Sequence, residues 1–581
     1  MITRARLGEP ARVAMRAAMH VTMRVTMRVT MRVTVAVAGL GVASSPVGAQ
    51  RRAPFVPTAA SVERVQPGID ILGYDITLTV APPSARIEGT EVISLVRRAK
   101  VMQLRLDAVG LAISRVLVGA TPVSVQTLDS AIVVPLDHAT GDSISVTVSW
   151  SASPVDGLVI RDGADGWTAF GDNFPDRARL WLPVVDHPSD KATVAWTVRA
   201  PVGYLVVANG ARQGVDTVRG TPDVARWRFR QAQAIPTYLM VIGVGRLEEV
   251  SLGETACGFG PAGGCVPQSV LVTPSLRASM PGTFAQAGEI VRFFASLFGP
   301  FPYDRLSHVQ SRTRFGGMEN AGAIFYAWNI FGSGKPFPAG LIAHETAHQW
   351  FGDAVTERAW AHAWLSEGFA TYLAAMYAEH VGGDSALRVE LTGMRAAIMK
   401  SPASRDRPVI DTAQTVLLQL LNTNSYQKGG HVLHMLRREI GDSAFVKAIR
   451  EYQAEFRHSN AMTSDLARAV ARASGRDLQW FFDQWLTRPG WADVELQWRV
   501  SGSQLRLSVL QPGPAAPYRL TLPVDVELSD GRVVHQRVVV DAASRGTHPV
   551  QLPAGAVVRA VRADPQGDLL ATIRVTALPP E

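Results

Sequence analysis

The run Leu341-Ile-Ala-His-Glu-Thr-Ala-His-Gln-Trp-Phe-Gly352 constrains this chain more than any other stretch. His344 and His348 stand four residues apart, a spacing that puts both rings on one face of a helix. The remaining positions, among them Leu341, Ile342, Ala343, Ala347, Trp350 and Phe351, are apolar, so the helix is expected to be buried. The competing reading, a surface helix with solvated polar groups, fits that apolar surround poorly. Buried imidazole and carboxylate groups need partners, and a metal ion supplies them. Glu367, nineteen residues beyond His348 in Trp364-Leu-Ser-Glu-Gly-Phe-Ala-Thr-Tyr372, lies on a second expected helix and completes a ligand set. Two imidazoles and a carboxylate leave one position of a tetrahedral ion open, the pattern of a catalytic zinc. The expectation is one Zn2+ per chain on His344, His348 and Glu367. Glu345 is placed to reach a water on the ion without being a ligand.

The N-terminal residues read as a targeting segment. Val-Thr-Met-Arg occurs three times between Val21 and Arg32, followed by the short apolar run Val33–Val42 and by Ser44-Ser-Pro-Val-Gly-Ala-Gln50. A basic segment, a brief apolar stretch and a small-residue triplet describe a signal peptide over residues 1–49, cut after Ala49. Met19, Met23, Met27 and Met31 are alternative starts. The apolar run is too short to span a bilayer, and no later stretch reaches that length. The mature chain is therefore expected to be soluble and exported, periplasmic or secreted. Its formal charge of +8 is mostly a property of this segment, whose seven arginines and one glutamate give +6 and leave +2 (8 − 6). Nothing else basic and interleaved with aromatics follows, so nucleic acid is not an expected partner. Cys257 and Cys265 flank Gly258-Phe-Gly-Pro-Ala-Gly-Gly264 and are expected to close a small disulfide loop.

The periodicity predicts a multidomain α+β chain. From about 56 to 249, segments such as Ile69–Val80, Thr90–Val96 and Ser143–Trp150 alternate apolar and polar residues, with turns roughly every ten residues. This predicts an all-β domain over 57–252. A helical period sets in near Leu276, predicts a helix over Phe284–Phe298 and dominates from Ala339 to Trp485. The helical domain is assigned to 253–491. Alternation returns after Gly490, and 492–578 are predicted to form a small β-sandwich without chemistry of its own.

Two further motifs bear on the site. In Phe315-Gly-Gly-Met-Glu-Asn-Ala-Gly-Ala-Ile-Phe325 a glutamate sits inside a glycine-rich apolar strand. Glycines there permit close approach of another backbone, so a peptide could lie along this edge with Glu319 facing its amine. Alone, a solvated strand carboxylate is the simpler reading. In Asn424-Ser-Tyr-Gln-Lys-Gly-Gly-His431, Tyr426 is a neutral donor suited to an oxyanion, although tyrosines at helix starts are usually packing residues.

Taken together and in this order, the motifs resemble those of the gluzincin zinc aminopeptidases, the family of aminopeptidase N and leukotriene hydrolase. His344, Glu345, His348 and Glu367 match its metal motif, Gly316-Gly-Met-Glu-Asn320 its Gly-x-Met-Glu-Asn motif, and Tyr426-Gln-Lys-Gly429 its Tyr-x-Lys-Gly segment. Gln349–Asp353 and Trp364–Phe369 agree as well, and the likeness runs over roughly 57–500. The resemblance implies an N-terminal all-β saddle domain, a thermolysin-like, mainly helical catalytic domain with a small sheet, and a C-terminal β-sandwich. No counterpart of the large helical domain of longer relatives is expected in these residues. It implies release of N-terminal residues from peptides with a free amine, with Glu345 as general base and Tyr426 as oxyanion donor. Glu319 would bind the amine, and Gly316, Gly317, Met318 and Asn320 would line the substrate. Relatives also use a Gln or Glu from the N-terminal domain on the amine; here Asp172 or Asn173 could stand in. His362 replaces a common Asp and is read as lying beside the ligands or at the surface. The rivals are a zinc endopeptidase or non-peptidase hydrolase on the same catalytic domain, and a non-catalytic peptide-binding protein. The last predicts damage to the motif residues, and none is damaged.

Overall fold

The computed structural model describes residues 59–579 apart from 64, 164–165, 221–222, 332–336 and 514, so the expected signal segment 1–49 lies outside the described residues. The architecture is α+β: strand-rich toward the N-terminus, mainly helical in the middle and strand-rich again toward the C-terminus. The chain divides into two compact units. The first runs to Ser366 and takes in Thr412–Leu420 and Tyr452–Met462; the second holds Glu367–Asp411, Leu421–Glu451 and everything from Thr463 onward.

In the first unit, alternation becomes one-sided burial as expected. Ile69–Thr79 is central to an eight-stranded sheet, pairing antiparallel with Ile87–Arg97 and parallel with Lys191–Pro201. Ile71, Tyr74, Ile76 and Leu78 from one face of that strand are almost fully buried. A four-stranded sheet, Leu205–Ala208, Ile242–Gly245, Thr168–Gly171 and Leu158–Arg161, is buried far more evenly. It accounts for the short apolar runs in this part of the sequence that show no clean alternation.

The same unit carries a five-stranded sheet built from β1 (Glu248–Thr255), β2 (Val266–Val272), β3 (Leu306–Ser311), β4 (Gly317–Met318) and β5 (Ala323–Ala327). The order is β1-β2-β3-β5-β4, which leaves β4 at the edge. Between β1 and β2 the chain is closed by the expected Cys257–Cys265 disulfide. Helix α1 (Ala287–Phe298) buries Ile290, Val291, Phe294, Ala295 and Phe298. It ends at Gly299, whose φ of 102° only glycine adopts easily. The helix starts three residues later than its apolar pattern predicts. Phe284 belongs instead to an aromatic cluster, 4.7 Å from Phe337 and 4.8 Å from His308 between ring centroids. Tertiary burial has overridden helical periodicity there.

His308, fully buried on β3, shares hydrogen bonds with Tyr326 Oη and Gln268 Oε1. Burial lowers its pKa to about 3. Because the unfolded ring titrates near 6.5, its contribution to stability is complete above that pH and is lost as pH falls toward 3. We expect wild type to lose about 1.4 kcal/mol per pH unit from this ring within the window, and His308→Gln to lack that component. The stability difference between the two proteins, measured by denaturant unfolding, should shrink steadily from pH 6.5 to 4.

In the second unit, Ala492–Ser501 and its partners form a four-stranded sheet, and Val533–Val540, Leu520–Leu528 and Val558–Ala563 form a three-stranded one. Val494, Leu496, Leu507, Leu522, Val524 and Val526 are buried at alternate positions, as a two-sheet sandwich requires. Among the described residues no helix is long and apolar enough to cross a membrane.

Candidate metal centre

Helix α2 (Ala339–His348) carries the two histidines, and burial of Ile342, Ala343, Thr346 and Ala347 seats it in the core. His344 and His348 face each other with Nε2 atoms 3.1 Å apart and ring planes at 82°. The other nitrogen of His348 settles its tautomer. Nδ1 lies 3.2 Å from Phe351 O and 3.0 Å from Ser366 Oγ. A carbonyl oxygen only accepts, so Nδ1 carries the proton and Nε2 presents its lone pair inward. A second-nitrogen partner of this kind orients histidine ligands in metal sites generally. Ser366, such a partner, is missed in the sequence. The signal was available: a ligating ring needs a partner for its other nitrogen, and Ser366 directly precedes Glu367.

Glu367 follows on α3 (Trp364–Gly382). His344, His348 and Glu367 each offer a ligand atom, all within 4.8 Å of one another. Converging neutral imidazoles with a carboxylate fit a zinc ion in donor type and number. Glu319, Glu345 and His348 form a second such group, with ligand atoms again within 4.8 Å. Glu345 and Glu319 are 4% and 5% exposed, too buried to be solvated surface acids.

The edge strand β4 approaches α2 very closely. A Cβ on Gly317 would lie 2.2 Å from Glu345 Oε1, so only glycine fits. The turn after β4 is clamped by Gln349, whose Nε2 donates to Glu319 O and Asp353 Oδ2 while its Oε1 accepts from Gly322 N. Met318 and Asn320 are buried, and Gly316 and Gly317 adjoin the edge. The chain following α2 is tied down as well. Lys191 Nζ donates to Asp353 O, Ala354 O and Ser459 O at 2.9–3.0 Å, and Tyr238 Oη donates to Gly352 O. Burial lowers the Lys191 pKa to about 7 and, with the charge of Glu319, pushes Asp353 well above the ordinary carboxylate range.

Asp172 and Asn173 are both committed elsewhere. Asp172 accepts from Thr313 Oγ1 and Arg314 Nε and pairs with Arg177. Asn173 donates to Thr237 O and Met240 O and accepts from Trp181 Nε1. Both are fully buried, so neither offers a free oxygen to an amine. His362 is half-buried on the turn Trp360–His362.

Tyr426 lies not at the start of a regular helix but in a single π-helical turn, Asn424–Lys428, that runs into α4 (Gly429–Ile440). Such turns are rare and recur at functional sites. Its hydroxyl donates to Glu367 Oε1 at 2.7 Å. The expectation from the sequence was a donor to an oxyanion; the structure shows a bond to an expected ligand instead.

Two family profiles match the chain: the peptidase family M1 domain over residues 283–485 and the peptidase M1 N-terminal domain over 72–239. The chain belongs to peptidase family M1. The first match covers α2 and α3, and the second covers most of the eight-stranded sheet. The chain is 28% identical to a probable aminopeptidase 2 of Sulfurisphaera tokodaii, over 60% of this chain and 45% of that protein. It is 25% identical to a leucyl aminopeptidase of Saccharolobus solfataricus, over 80% and 59%, and 26% identical to an aminopeptidase N of Lactococcus lactis, over 55% and 38%. It therefore spans about half the length of the curated M1 relatives it matches.

Proposed function

We propose that this M1 chain is a zinc-dependent aminopeptidase acting on peptides with a free N-terminal amine. The observation that carries the proposal is the second acidic group: Glu319 offers its carboxylate within 4.8 Å of ligand atoms of both Glu345 and His348. Zinc on His344, His348 and Glu367 would polarise a carbonyl and bring the pKa of water down toward about 7. The chain's own groups do the rest. Glu345 accepts the proton of the attacking water and returns it to the leaving amine. Tyr426 donates to the developing oxyanion. The backbone of Gly316, Gly317 and Met318, at the sheet edge, aligns the substrate as an added strand, with Asn320 following. Glu319 pairs with the α-ammonium and so fixes cleavage after the first residue. With Asp172 and Asn173 engaged by other partners, Glu319 is the acid this reading assigns to the amine.

The test is a panel of chromogenic amino-acid amides, free and N-acetylated, on protein of measured metal content. The free amides should be cleaved with one zinc per chain and the acetylated ones spared. Equal cleavage of both forms would favour an endopeptidase and remove Glu319 from amine recognition. Gly317→Ala should lower kcat by at least about tenfold, because displacing Glu345 by an ångström or so is costly to proton transfer; an unchanged kcat would show that the close approach is irrelevant to turnover.

The proposal extends to location. Export is supported by the basic–apolar–small pattern of residues 1–49 and by the Cys257–Cys265 disulfide, which forms and persists in oxidising compartments. N-terminal sequencing of protein from fractionated cells checks it: a cytoplasmic fraction with an intact N-terminus would remove the signal-peptide reading.

A further inference from the structure

Away from the metal centre, the second unit contains a half-open cleft between α4, the helix α5 (Gln479–Leu486) and the strand Leu520–Leu528, with a cavity volume of about 60 Å³. Its wall is aromatic, with Trp480, Phe481 and Trp485, and its rim carries Arg438, Arg519 and Arg537. The acids beside those cations are shared with other partners, and Arg537 has none among the described residues. Glu439 pairs with Arg476 and accepts from Thr521 Oγ1. Asp568 accepts from His434 Nε2 at 2.9 Å and pairs with Arg438 at 3.6 Å, and Asp442 lies 4.0 Å from Arg438, so Arg438 is partly neutralised. Arg519 lies 4.5 Å over the Trp480 ring, and its acidic partner, Asp541 at 3.5 Å, is 79% exposed. Arg537 reaches Arg438 O, with no acidic partner among the described residues. Arg519, whose guanidinium stacks on Trp480 and whose acidic partner is exposed, and Arg537 are thus the cations with donors left for a carboxylate.

We infer that this cleft binds the free C-terminal end of a peptide, the carboxylate on the arginines and an apolar last side chain against the tryptophans. Charge sign and apolar lining both select that chemistry: an acid with an apolar body fits, and an amide or a cation does not. The site is independent of the catalytic reading, because it needs neither the metal nor a free amine.

The experiment is calorimetric titration of the full-length protein with N-acetyl-Ala-Ala-Phe, with its C-terminal amide, and with 3-phenylpropionate. Acetylation keeps the probes from any amine-recognising acid. The peptide acid should bind, its amide at least about tenfold more weakly, since a charge-assisted bidentate bond is lost. Arg537→Ala and Arg519→Ala should each weaken the acid at least about fivefold, and raising salt should weaken it further. Circular dichroism checks that both variants keep their fold, which is expected for exposed side chains. Equal binding of acid and amide, or unchanged binding in Arg537→Ala, overturns the site. Binding of 3-phenylpropionate as tight as the peptide overturns the peptide assignment, because the cleft would then recognise a small acid alone.

Discussion

Glu345→Gln is expected to keep its zinc and lose about 10²–10⁴ in kcat, the span of positioned general-base catalysis. The amide matches the carboxylate in size, so the close contact with Gly317 is preserved. It cannot accept a proton, and at 4% exposure no bulk water replaces it. His344, His348 and Glu367 are untouched, so metal content by atomic absorption should remain near one per chain. Full metal with lost turnover is the expected pair of results. Full metal with retained turnover would take Glu345 out of the chemistry and pass the assignment to another acid, with Glu319, within 4.8 Å of it, the first to test.

Tyr426→Phe should cost about 10²–10³ in kcat, the usual penalty for removing an oxyanion donor. The bond from Tyr426 Oη to Glu367 Oε1 makes this variant more informative than most. Removing the hydroxyl also strips a ligand carboxylate of a hydrogen-bond partner, and such losses weaken metal binding about 10–100-fold. Two explanations of a dead variant therefore separate on addition of zinc. If activity stays low at saturating metal, the hydroxyl acts on the substrate. If excess zinc restores it, Tyr426 acts only by holding Glu367, and the oxyanion role is withdrawn. KM should change little in the first case, because the donor is used in the transition state more than in the ground state.

The candidate metal ligands were legible because two constraints coincide in a few residues. Histidines four apart need a helix, and apolar neighbours need that helix buried, so the polar groups need a common partner. Glu319 was legible as an oddity, an acid among glycines, but its closeness to Glu345 comes from sheet order, which strand periodicity does not encode. The bond from Ser366 to His348 spans eighteen residues and two helices, and the commitments of Asp172 and Asn173 depend on Arg314 and Thr237, far off in sequence. The displaced start of α1 shows the same limit at short range: Phe284 obeys the helical pattern, yet an aromatic cluster holds it outside the helix. The π-helical turn at Tyr426 differs from a regular helix by one residue of register, below what residue spacing can resolve.

Lys191 gives the N-terminal strands a meaning beyond shielding. One ammonium from Lys191–Pro201 holds two carbonyls just past the metal helix and a third at Ser459, and Asn209 likewise holds Ala321 O just past Glu319. Cut away those strands and Ala354 O and Ser459 O lose the ammonium, while Asp353 O keeps the hydroxyl of Thr356. The stretch 253–491 is thus not portable: grafting it onto another scaffold would carry the metal motif and leave behind the struts that hold the chain after it in register.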